Sequence, residues 1–179
     1  MAATVRRILE ELGKKDAQVL SLLNKYYSDA YAPLWRRDPR LHLAFAERLT
    51  RGGQPVRAFE LVQDGLKHHK DNLDLRYFGA LALARGRSFT RSEEFLEPLL
   101  RSRKAPTRLR IEAISLAGRL HKDRYALAAS EKARTCQALK AAACSERAHA
   151  LGEVSFPTIN AATMNLLGGK ERKARGFAQ

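Results

Sequence analysis

An internal repeat constrains this chain more than any other feature. Gly53 and Gly86 each close an apolar-periodic segment and open a tight turn, and a small residue, Ala46 or Gly79, precedes each at the same distance. The two sets lie about 33 residues apart, inside the range that marks stacked supersecondary units. Two antiparallel helices that cross closely need a small residue where they touch, and the chain reversal between them favours glycine. Larger apolar residues recur at corresponding places: Phe45 and Leu49 in the first unit, Leu75 and Phe78 in the second. Ala58 falls where a second helix must approach the first, and Ser92 is its counterpart, shifted by one residue. A third, looser unit places Ile114, Ala117, Gly118 and His121 at the first-helix positions after a longer spacing.

Helical periodicity runs through the rest of the chain. Val5, Ile8, Leu9 and Leu12 form one stripe that Gly13 ends. Asp16 is placed to cap a second helix carrying Val19, Leu20, Leu23, Tyr26 and Tyr27, which Pro33 closes. Residues 33–39 read as a connector, and Pro55 suits the first turn of the helix that follows Gly53. A helix from about Ser92 to Leu100 and one capped by Thr107 follow, then a loop and helix start over 123–134, an alanine-rich helix to Leu151, and another from Pro157 to Leu167. Lys170 to Ala178 opens a last helix. No alternation long enough for a strand occurs.

These readings predict an all-α fold of tetratricopeptide-like helical-hairpin repeats, a right-handed α-solenoid, since the repeat is close to the tetratricopeptide period of ~34. Residues 1–32 are expected to form a helical segment packed on the solenoid. Residues 33–179 form the repeat domain, whose C-terminal end reads as mid-solenoid.

The chain has 179 residues, 45% of them hydrophobic, enough for a substantial core. Its net charge of +14 attracts anionic partners, whether nucleic acid, acidic protein surface or anionic lipid, without choosing among them. Aromatic residues are few and do not interleave with the basic ones, which weakens a single-strand stacking reading. Cys136 and Cys144 sit roughly 12 Å apart along one predicted helix, too far for a disulfide. No signal-peptide pattern and no membrane-length apolar run occurs, so a cytoplasmic setting is expected.

No constellation of catalytic residues emerges. His68 and His69 are adjacent and diverge by ~100° on a helix, which is poor geometry for one metal. His42 and His121 occupy core-type positions, and His149 is isolated. Glu93, Glu94 and Glu97 read as a solvated face. Gly168-Gly169-Lys170 lacks the first glycine, the hydroxyl residue and the strand of a phosphate loop. The expectation is therefore a protein that is not an enzyme and needs no cofactor and no metal.

Two segments carry a resemblance. Leu116-Ala117-Gly118-Arg119-Leu120-His121-Lys122-Asp123-Arg124-Tyr125 and Phe156-Pro157-Thr158-Ile159-Asn160-Ala161-Ala162-Thr163 resemble paired signatures of the TRAFs-binding domain. That domain occurs in the central regulatory region of apoptosis signal-regulating kinases, and similar segments occur in bacterial tetratricopeptide proteins. The likeness spans roughly Arg40 to the end. His121 and Thr158 depart from the usual aromatic and glycine. The resemblance implies a helical-hairpin solenoid whose role is regulatory protein binding beside a signalling or effector domain. Its polar residues also have local readings: Asn160 bonding to nearby backbone, and Lys122-Asp123-Arg124 fixing a turn.

First helices of such repeats line a concave face, which is commonly the binding face. By register Arg40, Glu47 and Arg51 face it from the first unit, Arg76 from the second, and Arg119 and Lys122 from the third. This mostly cationic groove suits a protein or acidic-peptide partner, with nucleic acid as the alternative and no membrane partner. A second basic set, Arg101, Arg103, Lys104, Arg108 and Arg110, lies at a connector.

Overall fold

A computed structural model describes residues 2–152 and 155–177. The side chains of Ser155 and Phe156 lie outside that description, so Phe156 of the second signature is placed only as backbone, and the expected final helix is followed only to Phe177. The described residues are helical, without strands: α1 Ala2–Gly13, α2 Val19–Tyr26, a 3-10 turn Asp29–Tyr31, α3 Ala32–Arg37, α4 Pro39–Arg51, α5 Pro55–His68, α6 Leu73–Arg85, α7 Phe89–Arg101, α8 Thr107–Leu127, α9 Glu131–Leu151, α10 Ser155–Leu167 and α11 Glu171–Phe177. They fall into two compact units, Met1–Phe95 and Leu96–Gln179.

In the first unit α4 packs on α5, α5 on α6, and α4 also on α6, so the first helices of successive hairpins touch. Leu41, Phe45, Leu49, Val62 and Leu75 are sealed in one core, which Val5, Ile8 and Leu12 of α1 join from the N-terminal side. Each fully buried side chain of this kind contributes roughly 1.5–3 kcal/mol.

The turns sharpen the repeat. Gly52, Gly53 and Gln54 bond back to Arg48, Thr50 and Leu49, while Gly86, Arg87 and Ser88 bond back to Ala82, Ala84 and Leu83. Gly53 and Arg87 both take the left-handed conformation, at φ 74° and 61°. The turns therefore superpose Gly52 on Gly86 and Gly53 on Arg87, a register of ~34 residues instead of the ~33 obtained by matching glycine to glycine. Sequence matching missed this because an arginine occupies the left-handed position that glycine normally fills. The same bonding pattern returns at Gly168, Gly169 and Lys170, with Gly169 at φ 74°.

In this register Leu41 and Leu75, Ala46 and Ala80, Leu49 and Leu83, Ala58 and Ser92, and Val62 and Leu96 correspond, and all of them are buried. The tetratricopeptide pattern W-x2-L-G-x2-Y…A-x3-F maps onto His42, Phe45, Ala46, Leu49, Ala58 and Val62 with its spacing kept. Ser92, at the crossing position, donates its hydroxyl to the Ala80 carbonyl at 2.7 Å, so a polar residue is tolerated there. Gly79 is required by packing: a Cβ there would lie 2.9 Å from the Phe95 ring and 3.0 Å from Val62.

Three local readings change. Residues 33–39 are not a plain connector: α2 already ends at Tyr26, so Pro33 does not close it but sits in the first turn of α3, as proline's fixed φ allows. Trp35 of α3 is buried and donates Nε1 to the Tyr26 carbonyl at 2.7 Å. Asp16 does not cap α2, which begins after Gln18 with no side-chain cap. α8 continues through Lys122-Asp123-Arg124 to Leu127, so those residues do not form a turn. The break comes only before Ser130, which caps α9 by accepting from the Ala133 amide.

In the second unit α9 packs against both α8 and α10. Ala138, Ala141 and Ala142 form a thin face that meets Met164. Gly118 lets α8 approach α9, since a Cβ there would stand 3.1 Å from the Cys144 Cβ. Neither Cys136 nor Cys144 is in a disulfide.

Candidate functional site

The expected binding residues fall into two sets, one in each unit. In the first, Arg40, Glu47 and Arg51 share the outward face of α4, opposite Leu41, Phe45 and Leu49. They are not bare charges. Asp38 caps α4 by accepting from the Arg40 amide at 3.0 Å, and the Arg40 guanidinium grips the same carboxylate, with Nη2 to Oδ2 at 2.6 Å. Those bonds hold the Asp38 carboxyl below its ordinary pKa. Arg51 pairs with Glu47 one turn back at 2.7 Å.

Arg76 sits differently. In the structural register it corresponds to His42, which is wholly buried, and not to a residue of the outward α4 face. It is half-buried, and its Nη2 reaches the Lys70 carbonyl at 3.3 Å, near the α5–α6 turn. The exposed counterpart of Arg51 is Arg85. Sequence reasoning passed over Arg85, and the Gly52–Gly86 spacing was the signal that would have found it.

In the second unit Arg119 and Lys122 stand on α8. Arg119 is half-exposed, with Asp123 at 4.0 Å. Lys122 Nζ donates to Asn160 Oδ1 at 2.6 Å. This bond joins the two signature segments across the α8–α9–α10 layer, and replaces the local backbone role expected for Asn160. Neighbouring polar pairs tie the same layer: His121 Nδ1 lies 3.0 Å from Gln137 Oε1, and Thr158 Oγ1 lies 2.9 Å from His149 Nδ1. Buried Asn165 donates to Glu146 at 2.8 Å and to the Ala161 carbonyl at 2.9 Å, and Lys173 reaches Glu146 at 2.7 Å. A lysine half-withdrawn from water needs such an acceptor, because the hydrogen bond offsets the cost of desolvating its charge.

Of the connector cations, Arg101 pairs with Glu97 and Arg108 with Glu112, both one turn away on their own helices. Exposed pairs of this kind contribute ~0.3–0.5 kcal/mol each and exchange readily for other partners. Among the described residues, no group of three or more His, Cys, Asp or Glu could hold a metal ion. No described helix is long and apolar enough to cross a membrane.

A family model described as Tetratricopeptide Repeats-Sensor matches residues 54–165. No curated protein matches the chain. Among solved structures, the chain is similar to MamA 41-end from Desulfovibrio magneticus RS-1 at 18% identity, over 78% of this chain and 90% of that one, with a TM-score of 0.37. The matched segment begins at the α4–α5 turn, takes in the α6–α7 hairpin and the α8–α9 pair, and ends in α10, which includes both signature segments. With hairpins, turn register and matched residues agreeing over more than half its length, this chain belongs to the tetratricopeptide repeats-sensor family.

Proposed function

We propose that the chain is a non-catalytic scaffold that binds a protein or acidic peptide within a cytoplasmic signalling or regulatory system. Arg40, Glu47, Arg51 and Arg76 would serve in the first unit, and Arg119 and Lys122 in the second. The observation that carries the reading is the outward face of α4, where Arg40 and Arg51 stand exposed while the opposite face fills the core. An acidic side chain can replace Asp38 or Glu47 as the partner of these guanidinium groups, and bidentate carboxylate recognition is what arginine geometry favours. The resemblance to the TRAFs-binding domain of apoptosis signal-regulating kinases supports a regulatory setting. On this reading residues 1–32 cap the repeat domain that begins at residue 33, consistent with α1 and α2 packing on α4.

Affinity capture with the intact chain, followed by calorimetry with each partner recovered, tests the proposal. Simultaneous Arg51→Glu, Arg76→Glu and Arg119→Glu should abolish binding. Binding that survives the triple reversal removes these residues from the site.

The +14 charge favours a second reading, a basic helical protein that binds nucleic acid. A salt-dependent mobility shift with DNA or RNA at low ionic strength would support it, and no shift under those conditions would exclude it.

A further inference from the structure

Within the first unit the 3-10 turn, α3 and the end of α5 line a half-open cavity of about 250 Å³. Its chemistry is unlike that of the basic surface around it. Two carboxylates, Asp29 and Asp64, and two aromatic rings, Tyr27 and Trp35, line it, with Arg36 and His68 also on its wall. Trp35 has spent its indole N–H on the Tyr26 carbonyl, and the Tyr27 ring stands edge-on to it at 5.0 Å between centroids.

Asp64 is the centre of the arrangement. Lys67 donates to it at 3.2 Å, and the nearby Tyr27 hydroxyl helps hold its pKa below the ordinary value. Behind it, His42 Nε2 lies 3.6 Å from Asp64 Oδ2, too far for a hydrogen bond. His42 is wholly buried, and neither of its ring nitrogens has a partner. The ring fits there because residue 65 is glycine: a Cβ would lie 2.9 Å from the imidazole. Burial drives the His42 pKa down to about 4, so the ring is neutral at physiological pH and one nitrogen can accept. Buried polar groups in native proteins are almost always hydrogen-bonded, and the unpartnered His42 nitrogens and the Asp29 and Asp64 carboxylates leave acceptor capacity here beside the donors of Arg36 and Lys67. Asp29 carries no side-chain hydrogen bond or ion pair among the described residues.

We propose that this cavity seats the ammonium or guanidinium head of a basic side chain from a partner peptide, held between Asp29 and Asp64 and against the rings of Tyr27 and Trp35. Carboxylates at hydrogen-bonding distance and aromatic faces are the two environments that compensate a cation for lost water. An anion would have to be desolvated against two carboxylates, and an apolar group would leave their lone pairs unsatisfied. A peptide source is favoured by a second depression of about 330 Å³ that shares Tyr27 and is lined by Leu23, Asn24, Arg57, Glu60 and Leu61. It offers room for the residues that flank the basic one, with Arg57 and Glu60 to meet their backbone or side chains. None of Arg40, Glu47, Arg51, Arg76, Arg119 or Lys122 lines this cavity, so neither reading depends on the other.

The molecule carries its own probe, because Trp35 is its only tryptophan. Trp35 emission of the full chain would be followed at neutral pH during titration with capped glycine–arginine–glycine and glycine–lysine–glycine peptides. The uncharged norleucine peptide, the glutamate peptide and free spermidine serve as comparisons. The expected result is a saturable emission change with the two basic peptides only. Asp64→Asn and Asp29→Asn should each weaken it about tenfold, the loss of one charge-assisted contact. Asp29→Asn removes no internal bond, so it decides the matter even if Asp64→Asn disturbs folding. Equal response to the norleucine peptide, no saturable response to either basic peptide, or an Asp29→Asn affinity within about twofold of the parent would overturn the proposal. Spermidine binding as tightly as the peptides would overturn the assignment to a peptide side chain.

Discussion

At the scale of single residues, two side chains do work that their neighbours in sequence do not announce. His42 is sealed in the first unit and neutral, with its pKa lowered to about 4 by burial and only partly restored by Asp64. Its folded pKa lies below that of the unfolded chain. The unfolded state therefore takes up a proton first, and stability present above the unfolded pKa is lost as pH falls towards the folded one. Between about pH 6.5 and pH 4 the unfolding free energy should drop by up to ~3 kcal/mol. Urea titrations of His42→Leu should show a flatter profile across that window. Asp64 is also held below its usual pKa: burial raises it, but the Tyr27 and Lys67 bonds outweigh burial. Its contribution is lost only below the His42 window. The Lys122–Asn160 bond is the second case. Lys122→Ala and Asn160→Ala should each cost about 1–2 kcal/mol, and the double variant less than their sum, because a charge-assisted bond is shared. A coupling energy near zero in urea-melt cycles would show that the bond contributes nothing to the layer.

Helical elements and their turns set the next scale. Arg87 holds the left-handed position that Gly53 occupies one repeat earlier. A non-glycine residue there costs roughly 1–2 kcal/mol, of which glycine's extra chain entropy returns a part. Arg87→Gly should therefore raise stability by about 0.5–1 kcal/mol, read as an increased urea midpoint at unchanged m-value. Gly79→Ala runs the other way. Alanine gains ~1 kcal/mol of helix propensity, but its methyl meets the Phe95 ring and Val62 within 3.0 Å. Overpacking of this kind costs about 1–3 kcal/mol, so the net change should be destabilising. The α3 segment makes the same point about proline. Pro33 was legible as a helix breaker, but α2 stops before it at Tyr26; whether a proline ends one helix or opens the next depends on what the following residues bury, and here Trp35 finds a sealed site.

For the whole molecule the relevant quantity is charge. An excess of fourteen positive charges attracts anionic groups with a strength that salt screens. On the proposed function, raising ionic strength from about 0.05 to 0.3 M should weaken partner binding severalfold, chiefly through slower association. Calorimetry or surface-capture kinetics at the two salt levels would measure it. A salt-independent affinity would shift the binding energy from Arg40 and Arg51 to apolar contacts. The basic-peptide site around Asp64 should show its own salt response, because its carboxylates carry the opposite sign.

The sequence by itself determined the fold class. Apolar stripes with helical spacing, glycines at chain reversals and small residues at crossings leave stacked hairpins as the economical way to bury Leu41, Phe45, Leu49 and Leu75. Those are local, periodic signals, and they survive without knowledge of neighbours. Only tertiary structure decided what periodicity cannot carry. It set the register at ~34 residues, since an arginine stood at a glycine position. It placed Arg76 in register with His42 instead of with a residue of the outward α4 face, because the shift of one residue turns a side chain by ~100° on a helix. It brought Lys122 to Asn160, and His42 behind Asp64 beside Trp35 and Tyr27. Each of those meetings joins residues from separate helices, and a pairing of that kind exists only once the helices have packed.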